Sequence, residues 1–161
     1  MLFRSSRHVL VIGQEPGKQP RTYTADIEGG TFTPIMPEGT VPQFLSRDGK
    51  IVVARNADGL WGYSVDGGSP WRINGVQANE TPLQLTTDGK GLYVSETAGV
   101  GARILRVDVG TGRRELVREL TPPNLAGSMG ISRVVITPGG ETYVYGYGQQ
   151  LSELYLARGI R

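Results

Sequence analysis

Cysteine is absent from the 161 residues, which excludes disulfides and thiolate metal sites. Histidine is nearly absent. His8 is the single one, so any Ser-His-Asp site has to use it. It stands beside Arg7 at the start of an apolar run, and no G-x-S-x-G elbow occurs in the chain. His8 therefore reads as a partly exposed strand residue. Long apolar runs are missing too. The opening MLFRSSRHVLVIGQE has a short apolar stretch from Val9 to Gly13, whereas a secretory signal needs about 7–15 apolar residues. Nothing reaches the roughly 18 of a membrane helix. The chain as written is expected to carry neither an export signal of its own nor an anchor, and the compartment stays open. No sign of charge dominates either. The net charge is +2, and the 17 basic residues are spread along the chain without the basic stripe that nucleic-acid binding needs.

Glycine and proline are abundant, at 24 and 10 residues. Both break helices and populate turns. They punctuate a repeat. Pro42–Lys50 reads PQFLSRDGK and Pro82–Lys90 reads PLQLTTDGK, with Pro, Leu, Asp, Gly and Lys recurring at a spacing of 40. A third copy, VVITPGGE at Val134–Glu141, places Gly139-Gly140 where the others have Asp-Gly. It follows at a spacing of 51, and the extra length is visible as the loop LTPPNLAGSMG, Leu120–Gly130.

Each turn is followed by a strand-like run: KIVVARN, KGLYVSE and ETYVYGYG. Asp-Gly between extended runs predicts a tight type I′ hairpin, with positive φ at both central residues. A second strand is expected after each: LWGYSVD, RILRVDV and SELYLAR. Further turns and a shorter strand, SPWRIN or RRELVREL, complete the unit. The first 40 residues fit the same template with its opening strand missing.

Four short antiparallel strands in about 40 residues is the pattern of a β-propeller blade. Runs such as IVVA and GLYV are apolar on both faces, as a strand covered by a blade on each side requires, whereas a two-sheet sandwich would alternate. The fold class expected is all-β: a partial β-propeller, an open arc of a little under four four-stranded antiparallel blades. The expected units are 1–40 (first strand missing), 41–80, 81–131 (with the loop insertion 120–130) and 132–161 (outer strand missing). Another all-β meander is the alternative.

The repeat P-x-x-L-(S/T)-x-D-G-K with its following strands resembles the TolB-like, WD-repeat-like propeller repeat. The segment from Ala102 to the end, with TGRRELVRELTPP and LSELYLARG, resembles the C-terminal end of the propeller attached to bacterial eukaryotic-like serine/threonine protein kinases. GQEPGKQPRTYTADIEGG, Gly13–Gly30, resembles an upstream blade of the same domain. The resemblance implies a parent with an N-terminal kinase domain, usually a membrane span, and an extracytoplasmic C-terminal propeller. Related propellers are attached to winged-helix transcriptional regulators. This chain has no Gly-rich phosphate loop, no HRD and no DFG, so the resemblance does not make it a kinase.

Candidate chemistry is sparse. Asp48 and Asp88 each stand alone in a turn, without the Asp-x-Asp-x-Asp series of a calcium loop. Turn formation is the expected role, and Gly139 indicates that the turn forms without a carboxylate. Asp26, Asp66 and Asp108 recur at strand ends, where they are expected to bond amides of the Gly turn that follows. GVGAR, Gly99–Arg103, has the look of a phosphate loop but joins two strands rather than opening a helix. Trp61 and Trp71 flank the DGG turn at Asp66–Gly68, and with Arg103 they are the candidate partner-binding residues; packing between blades is the plainer role for both tryptophans. Tyr143, Tyr145 and Tyr147 fall at period two and are expected to share a blade-to-blade face. No catalytic, cofactor or metal site is expected. The function expected is a non-catalytic sensor or scaffold module that binds a protein or small ligand. A truncated structural remnant is the alternative, and a lactonase- or hydrolase-type enzyme lacks the clustered acids and histidines it would need. Exposed blade faces are expected to self-associate or to meet upstream blades.

Overall fold

The computed structural model describes residues 2–4, 8–156 and 158–159. Among them are fourteen strands and no helix. The first sheet holds β1 (Leu2–Arg4), β2 (His8–Gly13), β3 (Arg21–Asp26) and β4 (Thr33–Pro34). The second holds β5 (Val41–Leu45), β6 (Ile51–Asn56), β7 (Gly59–Ser64) and β8 (Trp71–Ile73). The third holds β9 (Thr81–Leu85), β10 (Gly91–Ala98), β11 (Gly101–Asp108) and β12 (Arg114–Leu120). The fourth holds β13 (Ser128–Ile136) and β14 (Tyr143–Gln149). Within every sheet the strands lie in chain order and pair antiparallel. The described residues form an all-β partial propeller: three four-stranded blades and a two-stranded one.

Three apolar seams hold the blades together. Leu10 and Met36 of the first unit pack with Val52, Ala54 and Tyr63 of the second. Val53, Leu60 and Ile73 of the second pack with Leu85, Leu92 and Val94 of the third. Tyr93, Ile104 and Leu120 of the third pack with Ile136, Tyr143 and Tyr145 of the fourth. Adjacent residues of a strand point to opposite faces, so Val52 enters one seam and Val53 the next. Both are fully buried, as are Leu92 and Val94. This is why the second strand of each unit is apolar without alternation.

Three expectations need correction. The first unit does not lack its opening strand: β1 pairs with β2 through Leu2↔Val11 and Arg4↔Val9. A three-residue strand offers no periodicity to read. Among the described residues the last unit has two strands, not three, because SELYLAR is not a strand there. Its connection, Gln149-Gln150, has no residue suited to a reversal, unlike Asp58-Gly59 and Gly99 in the two units before. Gln150 instead donates its amide to the Gly127 carbonyl (2.8 Å), which carries the pairing with the β13 side one residue past the end of β14.

The third correction concerns the turns. No residue other than glycine has positive φ among the described residues, which rules out type I′ at Asp48-Gly49 and Asp88-Gly89. The Thr86 amide bonds the Gly91 carbonyl (2.8 Å), and the Gly89 amide bonds the Thr86 carbonyl (2.9 Å). The hairpin therefore has a four-residue loop around an i→i+3 turn, with only Gly89 left-handed at φ 68°. Gly49 (75°) and Gly140 (84°) repeat it. A Cβ on Gly89 would meet nothing within 4 Å, so substitution there isolates backbone strain. Gly89→Val is expected to destabilise by roughly 1–3 kcal/mol, read from denaturant melts; coincident curves for the two proteins would remove the turn from the account.

Candidate interaction site

The repeated turns gather on one side of the arc because each joins the first strand of its blade to the second. In the second unit Asp48 Oδ1 accepts from the Ser46 hydroxyl (2.6 Å) and from the Lys50 amide (3.2 Å). In the third, Asp88 Oδ1 accepts from the Thr86 hydroxyl (2.5 Å) and the Lys90 amide (3.0 Å). The serine and threonine oxygens accept in turn from the amides of Ile51 (2.9 Å) and Gly91 (2.8 Å). The repeat P-x-x-L-(S/T)-x-D-G-K already marks this hydroxyl two residues before the aspartate, but names no role for it; Ser46, Thr86 and Thr137 occupy equivalent places. Thr137 builds the fourth unit's turn with Gly139 in the aspartate position, its amide bonding the Thr142 carbonyl (2.9 Å).

These bonds set the charges. The Ser46 hydroxyl is the main cause that holds Asp48 below its ordinary pKa. The Thr86 hydroxyl, then the Lys90 amide, do the same for Asp88. Asp108 is lowered chiefly by the Thr111 amide and hydroxyl. All three carboxylates are engaged in their own turns. Asp26 likewise accepts from the Glu28 amide (3.0 Å). Asp66 is exposed, and among the described residues none donates to its carboxylate in this way.

Between the turns lies a cleft of about 290 Å³. Ile51, Leu85 and Pro138 give it apolar walls, and Arg47, Gln84 and Thr87 give it a polar rim. It is built from three successive units. The Thr87 amide reaches the Pro138 carbonyl (3.3 Å) and ties the third turn to the fourth. Gly140 lies so near the Tyr93 hydroxyl that a Cβ there would stand 2.4 Å from it.

The residues singled out from the sequence do not converge on this cleft. Trp71 lies opposite Gly62 in the β7–β8 ladder. Its ring covers Gly62, leaving 2.3 Å to any Cβ added there. Trp61 is the neighbour of Gly62 and points to the other face, where it packs against the seam with the first blade. The two tryptophans thus serve opposite faces of one blade. Arg103 sits towards the opposite end of the third blade and pairs with Glu96 at 3.1 Å, its direct cross-strand partner. His8 opens β2, and its side chain lies outside the described residues. No group of three His, Cys, Asp or Glu side chains able to hold a metal occurs among the described residues. No helix among them is long and apolar enough to cross a membrane.

No protein-family profile matches the chain, and no curated protein does. Solved structures do. TolB from Acinetobacter baumannii superposes with a TM-score of 0.58 at 18% identity, over 87% of this chain and 35% of that one. A TolB-like protein from Agrobacterium tumefaciens gives 0.57 at 18%, over 89% and 51%. A prolyl endopeptidase structure gives 0.60 at 17%, over 92% and 26%. The chain has a TolB-like propeller fold. It spans about a third to a half of the length of the TolB structures. At these identities the likeness is one of architecture, and a fold hosts many functions.

Proposed function

We propose that this chain is a non-catalytic interaction module. It is a propeller arc serving as the sensory or scaffolding part of a larger bacterial signalling protein, and a serine/threonine protein kinase is the parent that the sequence resemblance implies. The turn-lined cleft carries the reading. It combines apolar walls with a few polar groups on rigid hairpins, the composition of a recognition site. Its carboxylates are committed to holding the turns, so the partner is a peptide segment or small ligand bound by Arg47, Gln84 and the apolar walls. An extracytoplasmic location belongs to the same reading. So do the arc's end faces, as surfaces for further blades or for self-association. The DNA upstream tests the parent: an in-frame kinase domain supports it, and another effector domain there replaces it.

Titrating isotope-labelled protein with a library of short extended peptides tests the module itself. Amide shifts are expected at Arg47, Gln84 and Thr87, and they should vanish in Thr87→Trp, which fills the cleft from an exposed position. Shifts centred elsewhere would move the site. Cleavage of the peptides would replace the reading with the hydrolase one, which the prolyl endopeptidase likeness makes the outcome to watch.

A further inference from the structure

We propose that two copies of this chain exchange their C-terminal segments, each laying its residues 151–156 antiparallel along the open edge of the other's β14.

The edge is an unfinished one. β14 pairs with β13 on one side and, among the described residues, has no strand on the other. Tyr143–Gln149 contains no lysine and no proline, the residues that commonly blunt an exposed edge. The register shifts of this ladder, between Ser128 and Gly130 and between Ile131 and Arg133, skip residues of β13, so β14 itself stays regular.

The segment that follows is largely apolar and pairs with no strand among the described residues. Leu154 is 99% exposed, and Leu151, Tyr155 and Leu156 are nearly as open. It does not fold back on its own sheet. The Gln150 amide is held by the Gly127 carbonyl, and the Gln149 side chain by the Ala126 carbonyl (2.8 Å). A reversal would have to fall within Leu151–Leu154, where the weak turn former Ser152 stands without Gly, Asn, Asp or Pro, and it would consume the apolar residues. Residues 151–156 are exposed throughout, so no described part of the chain covers them, and a second copy is the partner that offers them a matching edge.

The phase of the strand decides how two copies match. The amides of Thr142 and Gln150 both point to the β13 side. Even-numbered amides therefore face β13 and odd-numbered ones face the open edge. Antiparallel partners share the direction of their bonds, so odd residues lie opposite odd ones and even opposite even. Leu154 and Leu156 then fall on the face that carries Val144 and Val135, which are 68% and 59% exposed. The exchange covers aliphatic side chains that are otherwise open on both partners. A two-fold axis near Gln150 makes each copy donor and acceptor at once, an isologous contact that closes at two.

Light scattering on the whole chain tests this. A dimer is expected. Deleting residues 151–161 is expected to give a monomer with an unchanged circular-dichroism spectrum and melt, and so is the double variant Leu154→Asp/Leu156→Asp. The double variant decides the matter if the deletion aggregates. In the dimer the odd-numbered amides of β14 should exchange slowly with solvent, and in the double variant quickly. A monomer across a hundredfold range of concentration, or a dimer that survives the double variant, overturns the proposal. Survival would assign association to the blade faces instead. Peptide titration of the turn-lined cleft in the monomeric variant is expected to be unaffected, so the two readings fail separately.

Discussion

Arg114→Ala is expected to destabilise the protein by about 3–5 kcal/mol, the range for stranding one member of a buried ion pair. The Glu80 side chain is 0% exposed. Its carboxylate accepts from both terminal nitrogens of Arg114 and from the Gln77 amide (2.7 Å). Arg114 also donates to the Gly75 carbonyl (3.0 Å), and Arg55 donates to the Glu80 carbonyl (3.2 Å). The connection from β8 to β9 is thus strapped onto the third blade at both of its ends. Glu80→Ala should cost less, because the Arg114 side chain is 25% exposed and its stranded charge can be rehydrated. Replacing both residues by methionine should cost least, since neither charge is then left buried alone. Denaturant melts of the three variants check the order. Additive losses in the double variant would show that the pair is not a coupled unit.

What was legible beforehand follows from how each feature is encoded. The blade unit is written in local, repeated chemistry: a proline entering β5 and β9, a leucine ending them, then a glycine free to take positive φ. Those marks recur at a fixed spacing and need no knowledge of contacts. The Glu80–Arg114 strap is not of that kind. Two charged residues 34 apart carry no mark distinguishing them from surface charges, and burial is decided by the seam that forms around them. Thr40 holds the position of Glu80 one unit earlier and is also buried, so even the repeat does not forecast the pair. The tail was misread for the converse reason. SELYLAR carries an apolar run, Leu154–Ala157, at the place where the repeat puts a strand, but such a run says nothing about whether the chain can turn back to reach the edge. Trp61 and Trp71 were coupled by nearness to one turn, whereas the two-residue period sends them to opposite faces. The cleft went unseen because its walls come from three units, each of which looks locally like an ordinary hairpin.

Tyr93→Ala is expected to destabilise by about 3–4 kcal/mol, while the equivalent change one unit later, Val144→Ala, is expected to leave stability within about 0.5 kcal/mol. Val53, Tyr93 and Val144 each lie five residues after the third position of the turn, at Asp48, Asp88 and Gly139. They share a strand position and point to the same side of their blades, towards the next unit. Exposure there is 0% for Val53, 5% for Tyr93 and 68% for Val144. The first two fill seams, Val53 against Leu92 and Tyr93 against Ile136 and its neighbours, and the third faces solvent. Removing the Tyr93 ring leaves a cavity lined by Ile104, Leu120 and Ile136 that the sheets are too stiff to close. Removing two methyl groups from Val144 leaves none. The contrast is a property of an open arc. If the described chain instead closed on itself or were capped by a further blade, Val144 would be buried like its counterparts, and its alanine variant would lose stability in proportion. Thermal or urea melts of the two variants, made at a concentration where light scattering shows monomer, separate these cases. A loss above about 1 kcal/mol for Val144→Ala in the monomer would mean that the last blade has a neighbour, and the open face, with the strand exchange built on it, would have to be given up.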